Sequence, residues 1–425
     1  MSYLAALHAY TPPTLGVQTK GTKFMRAGRE FRGIGMNHFS LAHNVGIDLG
    51  VGGKRDGKAD IAEIKQTWGL PFVRCAFGMF DRSSWVYRWN NKAAVWGYLD
   101  SIVAECEAKG LGIIPVLVWD VIGFCDLSYA RYGVHEGPSQ LAVSTSNTRA
   151  HMAEWLNEVV TRYRNSPAIW GWALVNEATT RIGGEYYKFW APDGSLFSWL
   201  NWGKRPDGTS NYTTSDYLDR RGWTEFSRWA IELIQRADGY GRFVSPGSAL
   251  GNSYAVTCQT ANSYAADTQA QWNSAQDGLP WVRLRDQSFP LVAGHIYPNG
   301  GADFFGDVQL TYAQMIAAHK TWANQVGLPF FLEEFGATMT NAGAGRTGDS
   351  AVDQTSVDLA TETANFQAAL TSIQTNDVMM SALWNYDGNL SSSLAWQTWK
   401  LRNEPTRRYQ LEAVAAVNAV MAASN

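Results

Sequence analysis

The sequence predicts a single (β/α)8 TIM barrel. Three observations carry that expectation. Short apolar runs recur along the 425 residues, separated by segments with apolar residues at helical spacing. The runs carry few charges, which suits strands buried on both faces, as in a parallel sheet wrapped by helices. Polar residues gather where the runs end, at the strand tips that form the active face of such barrels. No stretch is rich enough in Pro, Ser or charge to act as a linker, so residues 1–425 are expected to form one catalytic domain.

The elements follow in order. Residues 23–32 flank Ala27-Gly28 and predict a small hairpin, placed as a plug under the barrel. The first barrel strand is expected at Phe31–Asn37, where Gly33 and Gly35 permit close backbone packing. A helix over 59–68 puts Ile61, Ile64 and Trp68 on one face, and the second strand spans 71–77. A helix over 98–109 ends at Gly110, before a third strand at 112–120. A helix over 148–164 carries Met152, Trp155, Leu156, Val159, Val160 and Tyr163 at helical spacing, and Asn165-Ser166-Pro167 stops it.

The fourth strand, 169–175, is uncharged; the polarity then switches abruptly to Asn176-Glu177. A long aromatic-bearing loop, 179–222, leads to a helix over 224–236 and a weak fifth strand at 243–247. A second long loop runs to 287 and holds a short helix near 265–272. The sixth strand (289–298), a helix (310–326) and the seventh strand (329–336) precede a third loop, 337–353. A helix over 357–373, an eighth strand at 378–384 and a closing helix at 411–423 complete the chain. Loops this long after strands four, five and seven of a compact domain are usually functional.

Composition excludes several classes. A net charge of −3 gives no electrostatic reason to expect nucleic acid or an anionic membrane as partner. No run reaches the roughly 20 apolar residues of a membrane span. Residues 1–10 lack a basic segment, and His8 interrupts their apolar stretch, so they make a poor signal peptide. A soluble protein is expected, and a monomer by default. The compartment stays open between a mature secreted chain, a cytoplasmic enzyme and a phage-particle component. Nineteen Trp stand beside 18 Tyr and 18 Phe. Many of these rings fill core, but an excess in loops is what a sugar-binding cleft needs, because flat rings stack on the apolar faces of sugars. Cys75 and Cys106, in a strand and a helix, are expected as buried thiols. Cys125 and Cys258 are placed in loops, more often unpaired than bridged.

The strand tips present Asn37, Arg74, Trp119, Asp120, Asn176, Glu177, His295, Tyr297, Glu334 and Trp384. Each alone has a bland reading: an Arg pairing with a nearby carboxylate, a satisfied structural His, an Asn capping the next helix. Two glutamates at the tips of strands four and seven are harder to dismiss, because burying two carboxylates near each other is costly unless their charges are used or compensated. Two carboxylates about 5 Å apart across a sugar-sized cleft make a retaining glycosidase. No His-x-His or carboxylate cluster of ligand type stands out, so neither metal nor cofactor is expected.

These residues carry a resemblance. The chain resembles the large clan of retaining (β/α)8 glycoside hydrolases, most nearly the cellulase/mannanase-type glycoside hydrolase family 5, from about Phe24 to about Trp384. The elements are Asn176-Glu177 after the helix–Asn-Ser-Pro–strand unit, Glu334-Phe335-Gly336, His295-Ile296-Tyr297, Arg74 and Trp384, in the family's order. The resemblance implies Glu177 as acid/base and Glu334 as nucleophile. Alternation along the strand adds a little weight to Glu334 over its neighbour Glu333. It further implies that Tyr297 bonds the nucleophile, His295 lines the cleft and Arg74 steadies the nucleophile. Trp384 would floor the sugar site, and Asn176 would bind the sugar 2-hydroxyl. One departure stands out: Trp119-Asp120 follows strand three where many members carry His or His-Asn. The implied activity is hydrolysis of a β-glucan or β-mannan by double displacement. The competing expectations are a related β-galactosidase- or xylanase-type enzyme and a non-catalytic carbohydrate-binding barrel.

Overall fold

The computed structural model describes residues 15–41, 57–80, 82–119, 121–177, 218, 220–248, 288–298, 310–337, 359–386, 401–402 and 405–423. Three short antiparallel strands, β1 (Val17–Lys20), β2 (Lys23–Arg26) and β3 (Arg29–Glu30), form a small sheet. The turn between β2 and β3 is the expected Ala27-Gly28, with φ of +51° and +78°, the mirror-image turn that suits a tight hairpin. Strand β1 was not legible in the sequence.

The eight barrel strands follow: β4 (Gly33–Asn37), β5 (Phe72–Ala76), β6 (Gly112–Val118), β7 (Trp172–Val175), β8 (Val244–Ser245), β9 (Val292–Ile296), β10 (Phe330–Phe335) and β11 (Met380–Leu383). They form one 8-stranded sheet in the order β8-β7-β6-β5-β4-β11-β10-β9. Every pairing in it is parallel, and β11 pairs with β4, so the sheet curls into a nearly closed barrel.

Two apolar layers hold it. Inside the barrel, Phe72, Ile114, Val116, Ala173, Ala293, Phe331, Met380 and Ala382 pack together. Outside, the alternate residues Val73, Cys75, Ile113 and Leu117 meet the helices. The alternation along β5 matters for function: Arg74 shares the inward phase of Phe72, so a guanidinium points into the barrel one pleat above that ring. Close strand approach also needs the predicted glycine, since a Cβ on Gly35 would lie 2.4 Å from the Phe72 ring. Phe24 of β2 closes the lower end, its ring 5.7 Å from Phe243 and 6.4 Å from Phe331, which is the plug that the hairpin suggested.

The major helices lie near their expected places. Lys92–Lys109 ends on left-handed Gly110. Asn147–Tyr163 is capped by the Ser146 hydroxyl, which accepts from the Arg149 N–H. Tyr312–Gln325 begins in a full capping box of Thr311 and Gln314. Arg220–Asp238, Leu359–Thr375 and Arg408–Ala423 are the others. The structure adds short helices at Arg82–Asn90, Val121–Cys125 and Leu127–Tyr132 that periodicity did not reveal. Cys125 is therefore a buried helical residue rather than a loop residue. Cys75 and Cys106 are buried as expected. Cys258, Asp120, the short helix at 265–272 and most of the three long loops lie outside the described residues. Among the described residues no helix is long and apolar enough to cross a membrane.

Candidate active site

The polar residues gather where the barrel strands end, and Arg74 is their hub. It is fully buried. Its Nη1 donates to Glu334 Oε1 at 2.9 Å and to Asn37 Oδ1 at 3.1 Å, and its Nη2 donates to Asn176 Oδ1 at 2.9 Å. The planar fork thus ties together the tips of β4, β7 and β10.

Glu334 is 3% exposed. Its second oxygen accepts from the Tyr297 hydroxyl at 2.6 Å and lies 3.3 Å from His295 Nδ1. Burial above all raises the Glu334 carboxyl above its ordinary range, and the Glu177 charge adds to this; His295, Arg74 and Tyr297 limit the rise. Burial beside Glu334 likewise pushes the Tyr297 phenol well up, so Tyr297 stays a donor.

Glu177 is a left-handed residue, with φ of +48°. A side-chain-bearing residue rarely adopts that conformation, and it occurs where surrounding structure imposes it. Here the neighbour is Gly247, itself at φ +61°, whose carbonyl accepts the Glu177 N–H at 2.6 Å. The turn delivers the Glu177 carboxylate to His295, Nδ1 to Oε1 2.9 Å. One oxygen each of Glu177 and Glu334 and one nitrogen of His295 lie within 4.8 Å of one another. Three such groups can hold a cation in other settings. Here the Arg74 guanidinium already supplies positive charge against Glu334, and the carboxylates around His295 favour its cationic form. Burial pulls the imidazole down, but Glu334, Glu177 and Glu333 together push it up to about 9.

One expectation needs correcting. Strict alternation sets Glu333, not Glu334, in the inward phase of Phe331, with Glu334 facing out. The structure breaks the alternation: Leu332 pairs with Gly294 and Glu334 with the next residue, His295, leaving Glu333 as the extra residue of a β-bulge. Bulges beside active sites re-aim side chains in this way. Both carboxylates consequently reach His295, Glu334 at Nδ1 and Glu333 Oε2 at 3.6 Å from Nε2. The Glu333 carbonyl left by the bulge accepts from Asn37 Nδ2 at 2.7 Å, and Asn37 Nδ2 also reaches the Ala382 carbonyl at 3.1 Å. Asn37 is thus bonded to the backbone that presents the two glutamates.

An aromatic wall stands beside Arg74, whose guanidinium lies 5.9 Å from the Trp119 ring. Trp384, 6% exposed, stacks on Phe39 at 5.4 Å, and half-buried Trp119 stacks on Phe39 at 5.5 Å and on Trp384 at 6.3 Å. Phe80 meets Trp119 edge-on at 5.5 Å. The Trp384–Asn385 peptide is cis. Of the residues singled out in the sequence, only Asp120 falls outside this description. Glu333, Ser245, Phe39 and Phe80 were not singled out. The Glu333-Glu334 dipeptide was a visible signal for the first; the others carry none in local pattern.

A pair of carboxylates on a (β/α)8 barrel, flanked by an Arg, a His and a Tyr, defines the class of retaining glycoside hydrolases. The family model of Cellulase (glycosyl hydrolase family 5) matches residues 25–388, and the chain belongs to that family. A stretch of 125 residues, 27% of this chain, is 30% identical to mannan endo-1,4-beta-mannosidase F of Aspergillus fumigatus. It spans 28% of that protein's length. Among solved structures, the endo-1,4-beta-mannanase of Rhizomucor miehei superposes with a TM-score of 0.60 at 17% identity, over 96% of this chain and 99% of that one. An endo-1,4-beta-D-mannanase of Thermotoga petrophila superposes with a TM-score of 0.56 at 16% identity, over 91% and 100% of the two chains. A β-glucanase of Saccharophagus degradans does so with a TM-score of 0.50 at 14% identity, over 95% of each chain.

Proposed function

We propose that this chain hydrolyses internal β-1,4 linkages of a mannan-type polysaccharide by double displacement. The carrying observation is that one oxygen of Glu177 and one of Glu334 lie within 4.8 Å of each other, in keeping with the short carboxylate separation of retaining enzymes. Glu334 is the nucleophile. Arg74 and Tyr297 hold its two oxygens and favour its anionic form. Glu177, at the mouth of the site, is the acid/base: it protonates the leaving oxygen as Glu334 attacks the anomeric carbon. It then takes the proton of the water that cleaves the glycosyl–Glu334 ester, restoring both groups. Asn176, held by Arg74, is the residue that bonds the sugar 2-hydroxyl in this reading. Trp384 offers its face to the sugar, with Trp119 extending the wall. Every residue in this scheme comes from one chain, so a monomer suffices.

The mannan preference rests on the names of the sequence relative and of two fold neighbours; β-glucan is the second choice, after the glucanase neighbour. The test is release of reducing ends from β-mannan, β-glucan and xylan, with Glu334→Gln and Glu177→Gln as controls. Mannan is expected to be cleaved, and each variant to lose at least about a thousandfold in rate while remaining folded. The first-formed product should be the β anomer by proton NMR. An α product, or wild-type rates in both variants, ends this reading.

A further inference from the structure

The double-displacement scheme uses Glu177 and Glu334 but leaves a third carboxylate unexplained. Glu333 is fully buried beneath them. One oxygen accepts from the Ser245 hydroxyl and lies 3.9 Å from Arg74 Nε; the other lies 3.6 Å from His295 Nε2. A buried charge is expensive unless compensated, and its compensating partners here are the two cations that also touch the catalytic pair. We infer that Glu333 is a positioning residue, whose fixed negative charge keeps His295 in the cationic form that bridges Glu177 and Glu334.

Charge counting supports this. His295 faces Glu177 from the tip of β7, Glu333 and Glu334 from β10, with Arg74 of β5 and the Tyr297 hydroxyl beyond them. With Glu333 and Glu334 ionised and Arg74 and His295 cationic, these four charges cancel. The state that leaves the buried site neutral is then the one in which Glu177 carries its proton, as a general acid must. A protonated imidazole offers two N–H groups in opposite directions, Nδ1 toward the catalytic carboxylates and Nε2 toward Glu333, which matches the carboxylates present on both sides. Removing the Glu333 charge would leave one uncompensated positive charge, and both His295 and Glu177 would then give up protons at lower pH. On the Glu333 side, burial raises the carboxyl, but Arg74, His295 and Ser245 outweigh that and hold it below the ordinary range.

This inference rests on the glycosidase reading only for its catalytic consequence, so the test has two arms. In the first, the His295 imidazole is followed by NMR titration, with His295→Gln used to assign the signal. Wild type is expected to remain protonated past pH 7, and Glu333→Gln to lower the midpoint by more than about one unit, with Glu333→Asp lying between. In the second, the alkaline limb of kcat/KM against pH is expected to move to lower pH in Glu333→Gln. An unchanged His295 midpoint in folded Glu333→Gln overturns the proposal, whatever the substrate proves to be. Should that variant fail to fold, a wild-type imidazole already neutral at pH 7 overturns it equally. An inactive wild-type protein with the expected imidazole shift would refute the glycosidase reading and leave the charge assignment standing.

Discussion

At the scale of single residues, the site is an exercise in holding carboxylates inside a protein beside compensating cations. Burial above all raises the Glu334 carboxyl above its ordinary value of 4.5. As the proposed nucleophile, Glu334 must be deprotonated, so activity should fall with acid, and the acidic limb of kcat/KM should sit above that value rather than at it. Tyr297 opposes the rise by donating to Oε2 at 2.6 Å. Deleting the hydroxyl therefore has a definite sign. In Tyr297→Phe the Glu334 carboxyl rises further, and the acidic limb moves to higher pH, by about one to two units for the loss of a hydrogen bond to a charged group. A limb that stays put, or moves to lower pH, would show that the bond does not act on an ionised Glu334. Most of these side chains were legible in the sequence because each puts a polar residue in or at the end of a buried strand, where it has no packing reason to be. Arg74 after Phe72-Val73, and Asn176-Glu177 after an uncharged run, announce themselves in this way. Glu333 did not, because its role depends on which way it points.

At the scale of elements, direction is decided by irregularities that local pattern does not encode. Period-two alternation along β10 would turn Glu334 outward, and only the bulge turns it in. The cause is tertiary: Asn37 of β4, nearly 300 residues away in sequence, takes up the displaced Glu333 carbonyl, so no window on β10 alone contains the information. The short helices after β5 and β6 escaped for a related reason. They are brief, and contacts with neighbouring helices, not a long amphipathic stripe, hold them. The turn that carries Glu177 is the other irregularity. Gly247 sits at φ +61°, and a Cβ there would lie 1.7 Å from the Val175 carbonyl oxygen. Gly247→Ala must therefore push the end of β8 away from the tip of β7 and break the bond to the Glu177 N–H. It should cost at least about 2 kcal/mol of stability, read by chemical denaturation, and depress kcat more than KM. Unaltered kcat in the folded variant would mean that the left-handed turn is incidental to the position of Glu177.

At the scale of the whole molecule, the barrel separates what holds it together from what it does. Strand tips carry the Arg74 network, while the opposite end is closed by the hairpin and by the rings of Phe24, Phe243 and Phe331. Phe331 and Glu334 lie on one strand, three residues apart, so about 10 Å of strand separates the plug from Glu334. The hairpin was legible from Ala27-Gly28, and the eight strands from their apolar runs. The β1 strand was not, because Val17-Gln18-Thr19-Lys20 gains its place from outside itself: Val17 exchanges backbone hydrogen bonds with Trp170 and Phe243. If the separation is real, removing the plug should be a pure stability change. Phe24→Ala deletes a fully buried ring and should cost about 3–5 kcal/mol, with the cavity bounded by rigid aromatic edges that collapse poorly. At temperatures where the variant is still folded, its kcat, its KM and both limbs of its pH profile should match wild type, because none of the charges that set them touches the plug. A shifted limb would show that packing at the closed end is transmitted along β10 to the bulge, and the two faces of the barrel would then have to be treated as one coupled unit.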